Sequence, residues 1–263
     1  MGRLIIGIVV AVVTSGIPGF TQGNLGTQLA ELMKLRSSVA NPDTRTRVSA
    51  THRVWAIGLA SEYSEVKLNA LDLLREPVKS ASDHIRMPAV YAIAEIANST
   101  GDVEVKKRAL STLREPLQAG QLPIRNAAID AVNFITRTSN HGEIALEAVK
   151  ELGGPVRSGN NGVRIPAIHA VMRAVENTHN EAAYLAALDL LVDPLKSAAL
   201  IGGMEVRMMA ILAVERIGVE ASEIRTKARA MGLMQTASEQ GSWEPEAKSR
   251  AAEAAKKIEG TMK

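Results

Sequence analysis

The chain has 263 residues, of which 46% are hydrophobic and only 3% aromatic, and its formal net charge is +3. The low aromatic content speaks against a strand-rich fold, and no Lys/Arg run is long enough to form a nucleic-acid patch. With no cysteine the chain makes no disulfide or thiolate metal site, and it cannot carry the lipid of a bacterial lipoprotein.

The first segment reads MGRLIIGIVVAVVTSGIPGFTQG. Arg3 gives a positive start, Leu4 to Val13 is an apolar or glycine run of ten residues, and Thr14, Ser15, Gly16, Pro18 and Gly19 follow. This is the grammar of a secretory signal peptide over residues 1–23. The apolar run falls short of the ~20 residues of a membrane span. Cleavage after Ser15 and after Gly23 both fit, and an uncleaved anchor or a buried first helix are the competing readings. The expected mature chain is therefore exported, periplasmic or secreted, and touches a membrane only through an uncleaved N-terminal segment.

From residue 24 onward a repeat dominates. Arg47, Arg86, Arg125 and Arg164 lie 39 residues apart, as do Pro77, Pro116, Pro155 and Pro194, and Glu65, Glu104 and Glu143. Around the arginines the text recurs as IRMPAVYAIAEI, IRNAAIDAVNFI, VRIPAIHAVMRAV and VRMMAILAVERI. A fixed period of this size means stacked copies of one supersecondary unit, each packing on its neighbours. Within 65–80, Val66, Ala70, Leu73, Leu74 and Val78 make a helical stripe, and Pro77 should kink or end that helix. A second helix follows over 84–98, with Ile85, Ala89, Val90, Ala92, Ile93 and Ile96 inward. The recurring alanines, Ala50, Ala89, Ala128, Ala167 and Ala210, allow close helix approach. The helix pairs are expected at 27–38 with 46–60, 65–80 with 84–98, 103–119 with 124–137, 143–157 with 163–177, 181–197 with 205–219, and 221–238 with 245–259. The end units depart from the pattern, with Arg53 in place of an alanine and Lys248 in the arginine place, as caps must.

This pattern resembles the HEAT-repeat family, including its phycobilisome-lyase-like subgroup, over about residues 27–259. The proline-bent first helix, Asp43 and Asp83 in the turns, and second helices opening Ile85-Arg86, Ile124-Arg125, Val163-Arg164 and Val206-Arg207 carry the resemblance. It implies an all-α fold, a right-handed α-solenoid of about six helix pairs, as a single domain over 24–263.

The repeat arginines, Arg47, Arg86, Arg125, Arg164 and Arg207, admit two readings: an anion-binding ridge, or an internal ladder bonding turn carbonyls or carboxylates. The second is preferred because they sit at helix starts beside the turns. None of the histidines, His52, His84, His141, His169 and His179, is followed by Glu, and no cluster has metal-ligand spacing, so neither metal nor cofactor is expected. No nucleophile motif or phosphate-cradling loop is present. What remains is the outer face of the second helices, which lines the concave side in the family resembled. Positions two, six, nine and thirteen after the opening Ile or Val should point away from the core. They supply His52, Trp55, Met87, Tyr91, Asp130, Asn133, His169, Met172, Met208 and Leu212 as candidate contacts. Methionines and aromatics mixed with amides and single charges suit a protein-binding groove, whereas a solvated face would be mostly Lys and Glu. The opposing reading packs several of these side chains on the adjacent unit. The expectation is a non-catalytic scaffold or adaptor for a protein or peptide, not for nucleic acid. The alternative is an accessory, lyase-like protein holding a chromophore or small ligand near His52, Trp55 and Tyr91.

Overall fold

The structure, a computed structural model, describes residues 23–176, 178–196, 203–240 and 243–262. The proposed signal segment lies outside the described residues, apart from Gly23. Fourteen helices are described: α1 (Leu25–Val39), α2 (Thr44–Ala60), α3 (Ser64–Val78), α4 (Asp83–Asn98), α5 (Val103–Thr112), α6 (Arg114–Leu117), α7 (Leu122–Arg137), α8 (Gly142–Glu151), α9 (Gly153–Val156), α10 (Asn161–Val175), α11 (Glu181–Leu195), α12 (Gly203–Glu220), α13 (Ile224–Glu239) and α14 (Pro245–Gly260). They pair as the repeat requires, with α5–α6 and α8–α9 each acting as one first helix. Most of the expected boundaries hold to within a few residues.

Local chemistry sets the helix starts. Asn24, Asp43, Asp102, Asn160 and Asn180 each accept a backbone N–H of the first turn through the side chain. Such caps satisfy donors that the helix leaves orphaned and are worth about 1 kcal/mol each. Glu65, Glu104 and Glu143 fall in first turns, against the positive end of the helix dipole. The repeat prolines act in two ways. Pro77 and Pro194 sit inside the last turns of α3 and α11. Pro116 and Pro155 lie in the short helices α6 and α9, set off from α5 and α8 by single residues, Leu113 and Leu152. In every case proline removes an N–H and crowds the carbonyl four residues back, which bends the chain near the end of the first helix.

First helices stack on first helices and second on second, and successive second helices pack on one another more extensively. One apolar core runs the length of the stack, from Leu32 to Ile258. The register alanines form its seam: Ala89, Ala128, Ala167 and Ala210 are fully buried and Ala50 nearly so. At Gly58 and Gly218 neighbouring helices approach closely. A Cβ at Gly58 would lie 2.7 Å from Ile96 Cδ1 and 2.8 Å from Ala70 Cβ; one at Gly218 would meet Ile258 and Ala230 at the same distances. The end units are capped: Arg53 pairs with Glu31 on the first, and α14 buries alanines and Ile258 beneath an outer face of Glu and Lys.

Candidate partner-binding face

The second helices α2, α4, α7, α10 and α12 present one side chain per unit to the solvent side of their layer at the sixth position. His52, Tyr91, Asp130 and Leu212 are exposed there and His169 is half-buried, with Tyr91 at 50% and Leu212 at 42% exposure. Met87 and Met208, at the second position, are half-buried against neighbouring helices. The ninth position departs from expectation. Trp55 is 8% exposed and belongs to the core, Asn133 and Met172 are half-buried, and Ala94 and Glu215 are buried. Three residues past the sixth position the helix has rotated by about 300°, so the ninth side chain turns toward an adjacent unit. Trp55 is thus a floor, not a protruding anchor: its indole meets the His52 ring edge-on at 6.0 Å, and its N–H faces the Glu95 carboxylate without closing a hydrogen bond.

Charge divides this face. In the carboxy-terminal half, Glu176 meets Arg173 and Arg216, each at 2.8 Å. Glu215 pairs with Arg250 and, at 2.8 Å, with Lys257, both on α14. Arg207, 1% exposed, pairs with Glu244, and its guanidinium lies 5.5 Å from the centroid of Trp243, within cation–π range. In the amino-terminal half, Glu95 on α4 and Asp130 on α7 have no ion-pair partner among the described residues. Partial desolvation by the neighbouring helices raises both carboxyls above their ordinary values, Asp130 although its side chain stays exposed, with the Trp55 indole opposing the rise at Glu95. Asn126 and Asn133, also on α7, each hold a side-chain oxygen buried without a partner.

No family model matches the sequence, and no curated protein matches it. Solved structures do match in fold. The archaeal HEAT-like repeats protein from Thermococcus onnurineus NA1 superposes with a TM-score of 0.52 at 11% identity, covering 89% of each chain. A designed armadillo repeat protein in complex with peptide (KR)4 gives 0.51 at 22% identity, covering 87% of this chain and 99% of that one. An engineered protein gives 0.52 at 17% identity, covering 88% and 97%. The chain folds as a HEAT-like, armadillo-type solenoid.

In this solenoid the repeat arginines reach the turns. Arg125 Nε donates to the Leu117 carbonyl at 3.3 Å and Arg164 Nε to that of Val156 at 2.9 Å, each at the end of its own unit's first helix. Arg86 donates to Gln121 Oε1 of the next unit at 2.6 Å, and Arg207 reaches Glu244 of the next. The Nε of Arg47 is buried without a partner among the described residues. A cation at a helix carboxy terminus complements the dipole there.

A second polar column escaped the sequence reading. Lys67 and Lys106 are 2% exposed. Lys67 Nζ donates to the Gly58 carbonyl at 3.1 Å and to Ser99 Oγ at 2.6 Å; Lys106 Nζ donates to the Thr138 carbonyl at 3.2 Å. Lys227 repeats the contact with the Thr261 carbonyl at 2.6 Å. Each ammonium sits at the end of a second helix. The spacing of Lys67 and Lys106, equal to the period, was the available signal. Burial lowers the pKa of both.

Among the described residues no three His, Asp or Glu side chains come together as a metal site, and no helix is long and apolar enough to cross a membrane. A cavity of about 330 Å³ opens between α1 and α2, lined by Leu35, Ser38, Arg45, Thr46, Ser49, Ala50 and Arg53. It includes none of His52, Trp55 and Tyr91, the three named for a small ligand.

Proposed function

We propose that this solenoid is an exported, non-catalytic scaffold that holds a protein or peptide along the concave face of its second helices. The observation that carries the reading is the sixth-position column: Tyr91 and Leu212 stay exposed, with half-buried methionines Met87, Met172 and Met208 on the same helix faces. Large rigid or polarizable side chains dominate interface energetics. A pre-built groove orders little on binding, so more of the contact energy appears as affinity. The likeness to a designed repeat protein that holds a peptide supports the same reading by fold. Export rests on the Arg3-to-Gly23 segment, and N-terminal sequencing of the mature chain tests it.

The groove is tested by capture from the native envelope or medium. Wild type is compared with a Tyr91→Ser, Leu212→Ser variant whose helicity is first verified by circular dichroism. A partner retained by wild type and lost by the variant is the expected result. Equal capture by both moves the site to the first helices or the turns.

A further inference from the structure

We propose that the amino-terminal end of the solenoid holds a binding site for a phosphate ester, in the cavity of about 330 Å³ between α1 and α2. This site is separate from the second-helix groove and does not depend on it.

The repeat register shows why a cavity opens here. Ile96 of α4 reaches back to Gly58 of α2, the preceding second helix. Ala92, Ala89 and Ile85 stand four, seven and eleven residues before Ile96 and so share its stripe. The same stripe on α2 is Arg53, Ala50 and Thr46, and no helix precedes α1 among the described residues to cover it. In units two to five the places of Thr46 and Arg53 are held by Ile or Val and by Ala. The cavity is the seat that a preceding second helix would fill, and the chain has made it polar.

A terminal unit needs only a wet outer face. The opposite end meets that need with mixed charge, since the outer face of α14 carries Glu and Lys together. The amino-terminal end has one sign. Residues 24–60 hold five Lys or Arg against Glu31 and Asp43, an excess of three that equals the formal net charge of the whole chain, +3. Lys34, Arg36 and Arg45 form no ion pair among the described residues.

The lining suits an oxyanion. Ser49 lies about one turn, roughly 6 Å along α2, from Arg45 on one side and Arg53 on the other. Ser38 and Thr46 complete the polar wall, and no carboxylate lines the cavity. Glu31 engages a single nitrogen of Arg53, and Asp43 is held as the cap of α2 by Thr46. The Ser38 and Ser49 hydroxyls are without a hydrogen bond among the described residues. Guanidinium forks match phosphate oxygens in pairs, and hydroxyls donate to those that remain. Leu35 and Ala50 give an apolar floor for a short carbon stem. The volume falls at the small end of ligand pockets.

The test is calorimetric titration of the purified protein with sn-glycerol 3-phosphate at fixed ionic strength, beside succinate as a carboxylate of similar charge. The phosphate ester should bind about tenfold more tightly than succinate, and Arg45→Gln, Arg53→Gln should lose about that factor. Ser49→Leu fills the cavity without changing charge and should weaken binding as much. Lys34→Gln, Arg36→Gln removes two charges outside the lining and should leave affinity within about twofold. Circular dichroism verifies that each variant remains helical. Flotation with phosphatidylglycerol vesicles, against phosphatidylcholine, identifies the source of the ester. Flotation of wild type but not of Ser49→Leu assigns a lipid headgroup, and binding of glycerol phosphate without flotation assigns a free ester. Failure to bind glycerol phosphate, equal affinity for succinate, undiminished binding by Ser49→Leu, or an equal loss in the Lys34, Arg36 variant overturns the proposal.

Discussion

The two halves of the second-helix face are built from one repeat and treat charge in opposite ways. From α10 onward, carboxylates on this face are locked between arginines and lysines of successive helices, and Arg207 is buried against Glu244 and Trp243. Across α4 and α7, the half-buried Glu95 and the exposed Asp130 have no ion-pair partner among the described residues. Apolar packing does not account for the difference, because the alanine seam is equally buried in both halves. One half uses its charges to hold units together; in the other Glu95 and Asp130 stand without an ion pair among the described residues.

The sharpest way to break this comparison is at Arg207. Arg207→Ala removes a 1% exposed side chain packed on Trp243 and should cost about 2–5 kcal/mol through the cavity left behind, since Glu244 keeps its access to water. Urea unfolding would measure it, and limited proteolysis should then cut first within 221–262. Arg207→Lys should recover little, since a point charge reproduces neither the fork nor the stacking. Next come Gly58→Ala and Gly218→Ala, each forcing a methyl to 2.7 Å from an isoleucine. Each should cost about 1–3 kcal/mol from overpacking, reduced by up to ~1 kcal/mol of helix propensity. Similar losses at the two sites would show that packing is symmetric while charge is not. Lys67→Met keeps the stem but orphans the Gly58 carbonyl and Ser99 hydroxyl, for about 1.5 kcal/mol by chemical denaturation.

The stack itself was legible because the period fixes which residues share a register: five arginines, four prolines and the alanine seam name the helix pairs. Two things were not. A position's outward angle depends on the tilt of the neighbouring helix, so Trp55 read as exposed and is buried. Charge compensation was hidden by the offset between partners. Glu176 pairs 40 residues on, and Glu215 pairs 35 and 42 residues on, so these contacts slip off the repeat and a comparison of equivalent positions misses them. Glu95, one residue past the ninth position, sat outside the four positions scanned. Lys67 and Lys106 lay in plain register, but between Val66 and Ala70, or Val105 and Ala109, each reads as a break in an apolar stripe. Only the carbonyl ends of the second helices explain it.

The smallest effect separates the halves by its sign. Glu95, half-buried, and Asp130, exposed but flanked by packed helices, have folded-state pKa values raised by desolvation. The folded chain therefore holds those protons more tightly than the unfolded chain does. Below the ordinary carboxyl values both states are protonated and the groups contribute nothing. Above the raised values the folded state carries the half-buried Glu95 charge at a cost and the exposed Asp130 charge at a smaller, solvent-screened one, so stability declines as pH rises through that window and stays lower at neutral pH. Glu95→Gln, Asp130→Asn should then raise the thermal midpoint at neutral pH by about 1–2 °C, with the gain vanishing as pH falls below the ordinary carboxyl range. Glu215→Gln should do the reverse, because it leaves Arg250 and Lys257 facing a neutral amide. A neutral-pH midpoint that rises in the first variant and falls in the second would mark the amino-terminal carboxylates as held at the expense of stability, and a fall in both would mean that an internal cation already serves them.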